Sequence, residues 1–154
     1  MEIQEALLRS CLFSTAACAA FAVQFNIRPK HLLPASVGGF ISQIIFSFME
    51  YMNFGEMTAT FAAAAAAALF SEILARGLHA PANMYLIVSI IPLVPGGMLY
   101  STMYAFIMHN SKTGADLALR TIGVAGAIAM GIFVVSSFFR IVGIVRKSRK
   151  KKRC

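Results

Sequence analysis

The residues best suited to hold a small molecule are Pro92, Pro95, Gly96 and Gly97, within Ile91-Pro92-Leu93-Val94-Pro95-Gly96-Gly97. They fall in the middle of an uncharged apolar run from Met84 to Met108. A helix needs about 20 apolar residues to cross a hydrocarbon core of roughly 30 Å, so this run is long enough. Each proline lacks an N–H and pushes its ring against the carbonyl four residues back, Val88 for Pro92 and Ile91 for Pro95. The two glycines add backbone freedom where the ladder is already weakened. If a helix re-forms after Pro95, the N–H groups of Gly97, Met98 and Leu99 have no intrahelical partner and stand at the positive end of a helix dipole. That is a site for a carboxylate or another anion. Helical spacing puts Tyr100, Ser101 and Tyr104 on the face of Gly97, bringing hydroxyls beside it. The freed carbonyls of Val88 and Ile91 would face an ammonium or a cation. Together the two ends suit a small zwitterion or a carboxylic acid. A kink that only shapes packing, with the hydroxyls satisfied by neighbouring helices, accounts for the same residues, because Pro and Gly are common in membrane helices.

Other chemistries find no support in the sequence. It contains no G-x-S-x-G, no phosphate-cradling glycine loop and no His–carboxylate cluster with metal-ligand spacing. His31, His79 and His109 all fall at expected loops, which argues against a Ser–His hydrolase. Cys11, Cys18 and Cys154 show neither a metal nor a disulfide pattern, and the first two read as small apolar packing residues. The expectation is therefore a protein that is not an enzyme and needs no cofactor or metal.

The elements that must position the break are set by composition. Of 154 residues, 58% are hydrophobic and only 13% are charged, far too apolar for a soluble domain of this length. The chain reads as an all-α integral membrane protein, a single bundle of five transmembrane helices over about 6–25, 31–51, 57–75, 84–108 and 115–145. The fourth is broken at Pro92-Gly97, and a basic tail, 146–154, follows the fifth.

Within these segments several faces stand out. Ser10, Ser14 and Cys18, and again Gly123, Ala127 and Gly131, recur every four residues and suit close helix contact. Gly39, Gln43 and Ser47 form a polar stripe, open either to substrate or to interhelical hydrogen bonding. The seven alanines from Ala62 to Ala68 mark an inner helix crowded on several sides. Glu72 and Arg76, four apart in the favoured order, read as a structural ion pair.

The formal charge of +8 does not point to nucleic acid, because seven of the fourteen basic residues lie in the tail directly after a hydrophobic helix. There they face anionic lipid on the cytoplasmic side. Five crossings then place Arg28, Lys30 and Arg76 inside as well. Glu2, Glu5, Glu50, Glu56 and Asp116 lie outside with the N-terminus, so every loop obeys the positive-inside rule.

At Pro92-Leu93-Val94-Pro95-Gly96, preceded by Pro81-Ala82 and a hydrophobic stretch, the chain resembles the threonine/serine exporter family. More narrowly, it looks like the short membrane subunit that corresponds to the C-terminal half of the fused exporters. The likeness extends to Phe21-Ala22-Val23-Gln24-Phe25-Asn26 and its basic hinge, to Gly38-Gly39 and to Ser71–Arg76. It implies a bacterial cytoplasmic-membrane exporter of small amino acids or, in some members, of a dicarboxylate such as succinate. It also implies a larger membrane subunit as partner in a hetero-oligomer. Pro92, Pro95 and Gly96 match the family motif; Tyr100, Ser101 and Tyr104 come from helical spacing alone. Five helices are few for a complete transporter, whose site commonly lies between paired repeats, so a partner or self-association is expected. Two other readings remain, a non-transporting scaffold subunit and a small oligomeric channel.

Overall fold

Three of the five prolines open helices, where a missing N–H costs nothing. In a computed structural model of the chain, Pro29 begins α2 (Pro29–Tyr51), Pro81 precedes α4 (Ala82–Ile90) and Pro95 precedes α5 (Gly96–Ile107). The remaining helices are α1 (Glu2–Gln24), α3 (Glu56–Leu78) and α6 (Ser111–Lys151). A single 3-10 turn, Ile91–Leu93, follows α4. The structure describes the backbone of residues 2–108 and 111–151, and the side chains of residues 5, 8–108 and 111–143. Among the described residues every regular element is helical.

Helices α2 and α3 form the centre. Helix α2 packs against α1, α3 and α4, while α3 packs against α2, α4 and α6, and α5 packs on α6. Small residues permit this crowding. Ala59, Thr60, Ala63, Ala64, Ala67, Ala68 and Ser71 make one buried stripe along α3. On α2, a Cβ added at Gly38 would collide with Ser89 of α4, and one at Gly39 would collide with Cys18 of α1. The two glycines therefore seat α4 and α1 against α2. Gly131 does the same for α6: an added Cβ would stand 2.7 Å from the Phe61 carbonyl oxygen and 3.1 Å from the Ala65 nitrogen. With Gly123 against Met57 and Phe139 against Arg76, the contacts show that α3 and α6 run parallel.

Three helices are long and apolar enough to cross a membrane: α2, α3 and α6 over Ser111–Gly143. The pair Ala82–Leu93 and Gly96–Ile107, bent by 51°, makes a fourth if it is one span. The apolar part of α1, Leu8–Gln24, is shorter than these.

The expected fourth segment is thus two helices, giving six rather than five. Two other boundaries also differ from expectation. The polar turn expected from His109 to Gly114 is helical from Ser111 onward, with His109 itself outside the described residues. The helix expected to end at about 145 continues through Lys151, into the basic tail. No proline or glycine interrupts residues 144–151, and Lys and Arg are good helix formers. Cys154 lies outside the described residues.

Candidate functional site

The two prolines break the span as their chemistry requires. Pro92 cannot donate to Val88, and the chain tightens into the 3-10 turn, which carries it to an extended Val94 (φ −65°, ψ 125°). Pro95 then starts α5 with no side-chain cap. From Ala82 to Leu93 the chain rises about 19 Å, using 1.5 Å per α-helical and 2 Å per 3-10 residue. Helix α5 adds about 18 Å of length, of which a 51° bend leaves roughly 11 Å along the first axis. The sum is about 30 Å, the thickness of a hydrocarbon core.

The freed acceptors on the α4 side are already engaged. The Val88 carbonyl accepts the Ile91 N–H and, at 3.2 Å, the thiol of Cys18. The Ile91 carbonyl accepts the Val94 N–H at 3.3 Å. The Ser89 carbonyl accepts the Ser42 hydroxyl at 2.7 Å. The expected cation position at Val88 and Ile91 is therefore filled by the protein's own donors, and these bonds lock α4 to α1 and α2.

The donors on the α5 side are different. The Gly96 N–H donates to Val94 at 2.7 Å, and the Leu99 N–H donates to Pro95 at 3.0 Å. Between them, the N–H groups of Gly97 and Met98 have no backbone partner among the described residues. Both residues line a cavity of about 220 Å³, together with Pro92, Pro95 and Gly96. Its other walls are Phe46 of α2, Glu56 and Thr60 of α3, and Val124 of α6. Two N–H groups without a backbone partner thus share a cavity with Glu56. Glu56 pairs with Arg120 at 3.3 Å, and its own carbonyl accepts the Thr60 hydroxyl at 2.7 Å.

Other expected site residues lie elsewhere. Tyr100 and Tyr104 stack on each other with ring centroids 6.3 Å apart, 71% and 51% exposed on the outer face of α5. The Ser101 hydroxyl donates to the Gly97 carbonyl at 3.0 Å and is also exposed. None of the three lines the cavity. Gln43 donates to Ser47 of its own helix at 3.4 Å, so the polar stripe on α2 is bonded within that helix. Glu72 and Arg76 lie 3.6 Å apart. Arg76 also reaches the Phe139 carbonyl at 3.4 Å and stands 4.5 Å from that ring. His31, expected in a loop, is inside α2 and buried, 2.7 Å from the Tyr85 hydroxyl.

Glu56, Arg120 and Thr60 were missed as site residues because contacts 64 residues apart leave no periodic signal. The one available hint was a lone acid opening a helix, Glu56 at the start of α3.

Helical throughout its described residues, with three or four candidate membrane spans, one of them bent over a small cavity, the chain has an architecture that fits a membrane transport protein. A family model described as Threonine/Serine exporter, ThrE matches residues 10–138, and the chain belongs to that family. No curated protein and no solved structure matches the chain.

Proposed function

We propose that the chain is a subunit of a secondary transporter that exports threonine and serine, with the substrate held at the α5 end of the broken span. The observation that carries this reading is the cavity lined both by Gly97 and Met98, whose N–H groups have no backbone partner, and by Glu56. The helix N-terminus suits the substrate carboxylate, and Glu56 suits its ammonium. Thr60 adds a hydroxyl to the wall. A second carboxylate, as in succinate, would meet Glu56 instead of a cation, so the geometry favours an amino acid over a dicarboxylate.

The orientation that fits is N-terminus outside and C-terminus in the cytoplasm of a bacterial inner membrane, with α1 as a fifth crossing. Arg28 and His79 then share the inner end, and Glu56 and Asp116 lie toward the outer one. A partner membrane subunit fits the α5–α6 hairpin. The stretch of α6 from Ser111 to Ile122, about 18 Å long, precedes the level at which Gly123 meets Met57 of α3. It presents Leu119 and Ile122 beside the exposed Met103, Tyr104 and Ile107 of α5.

Export of labelled threonine, serine and succinate from cells lacking their own exporters tests the reading, with the chain expressed alone and with its partner. Glu56→Gln and Pro95→Ala should lower threonine and serine export at least about tenfold, the scale of one lost charge-assisted contact, without loss of membrane-inserted protein. Undiminished export in both variants would sink the site and leave the scaffold reading in its place.

A further inference from the structure

At the opposite end of α4 from the break lies a second cavity, of about 460 Å³. It is lined by Asn26, Arg28, His31 and His79 and walled by apolar side chains including Met84 and Ile87. The N-termini of α2 and α4 both reach it, through Arg28 and through Pro81, so the positive ends of two helices converge on one space. No acidic side chain lines it. Arg28 has no carboxylate partner among the described residues. At the carbonyl ends of α1 and α3, which would oppose an anion, Ala22 accepts the Ile27 N–H and Ala75 accepts the N–H groups of His79 and Ala80.

His31 supplies the observation that points to a ligand. It is only 9% exposed, and its Nδ1 is 2.7 Å from the hydroxyl of Tyr85, itself fully buried. Tyr85 has no other acceptor for its proton among the described residues, so the hydroxyl donates to Nδ1 and the ring carries its N–H on Nε2. That Nε2 has no protein partner among the described residues, and His31 lines the cavity. No buried side-chain nitrogen lacks a partner among the described residues, so this Nε2 is reached from the cavity and is free to donate to a ligand there.

We propose that this cavity is a binding site for a phosphate-type oxyanion, held by the Arg28 guanidinium, the His31 Nε2–H and the His79 ring, with its apolar substituent against Met84 and Ile87. The oxyanion comes either from the headgroup of an anionic lipid or from a soluble phosphate. The site does not depend on the export reading, because it shares no lining residue with the cavity at the break.

The test uses the full chain in detergent, followed by thermal unfolding during titration with phosphatidylglycerol, phosphatidylcholine or inorganic phosphate. Stabilisation by phosphatidylglycerol but not phosphatidylcholine assigns a lipid headgroup, and stabilisation by inorganic phosphate assigns a soluble anion. In either case Arg28→Gln should raise the half-saturating concentration about tenfold or more. His31→Asn, which keeps an acceptor for Tyr85 but removes the Nε2 donor, should do the same. Glu56→Gln should leave this binding unchanged, so loss of export and loss of anion binding are separable. No stabilisation by any of the three, or stabilisation that survives both Arg28→Gln and His31→Asn, overturns the proposal.

Discussion

Gly131→Ala is the sharpest test of the packing that positions the cavity. The added methyl would stand 2.7 Å from the Phe61 carbonyl oxygen, 3.1 Å from the Ala65 nitrogen and 3.2 Å from the Ala64 Cβ. Two of these three neighbours are backbone atoms of a central helix and cannot rotate away, so α3 and α6 must separate. Overpacking of this kind costs about 1–3 kcal/mol. Replacing glycine by alanine also gains helix stability of up to about 1 kcal/mol, which obscures the cost in a single variant. Gly126 removes that ambiguity. It lies on the same helix, and an added Cβ there meets nothing within 4 Å. The difference between Gly131→Ala and Gly126→Ala therefore isolates the steric term, at about 1–3 kcal/mol in favour of the Gly126 variant. Equilibrium unfolding in mixed micelles, read by far-ultraviolet circular dichroism, measures both. Equal stabilities would refute the α3–α6 contact and, with it, the placement of Val124 beside Glu56.

Ser42→Ala should destabilise the chain by about 1–2 kcal/mol in the same unfolding assay, because the buried Ser89 carbonyl loses its cross-helix donor. Tyr85→Phe should cost a similar amount by leaving the Nδ1 of His31 unpaired. Glu72→Gln should change stability by less than about 0.5 kcal/mol, since its pair with Arg76 is partly exposed. A larger loss would mean that Arg76 depends on Glu72 to hold its place over Phe139. Tyr100→Phe and Tyr104→Phe together should leave threonine export within about twofold if α5 turns those hydroxyls away from substrate. A collapse of export would return them to the site.

The prolines and glycines made the break legible, because Pro92 and Pro95 remove donors whatever surrounds them. The central helices were legible from apolar length, and α2 and α3 lie within a few residues of expectation. Extents controlled by neutral residues were not. Ser111 and Lys112 can close a turn or open a helix, and only the packing of α5 on α6 decides between these. The facing of α5 was also hidden. In a chain that meets lipid, an apolar face no longer marks the inside, so Tyr100 and Tyr104 read inward by spacing yet stand outward. The partners of Val88 and Ser89 come from helices far away in sequence, Cys18 and Ser42, and no local rule reveals them.

The seven alanines of α3 carry a mechanical consequence. Over about 10 Å their surface offers only methyl groups, with no ridges tall enough to index a neighbouring helix. Such a stretch is a smooth rail. What fixes the register of α6 along it lies at the ends and at a single notch. Glu56 holds Arg120 at one end, and Arg76 holds the Phe139 carbonyl at the other. Gly131 drops over the Phe61 carbonyl between them. Axial sliding of α6 along this stretch is therefore resisted chiefly at discrete detents, with Gly123 against Met57 as a further one. One of these detents, Glu56, is the acid in the cavity. A cation that drew Glu56 away from Arg120 would release the rail at one end.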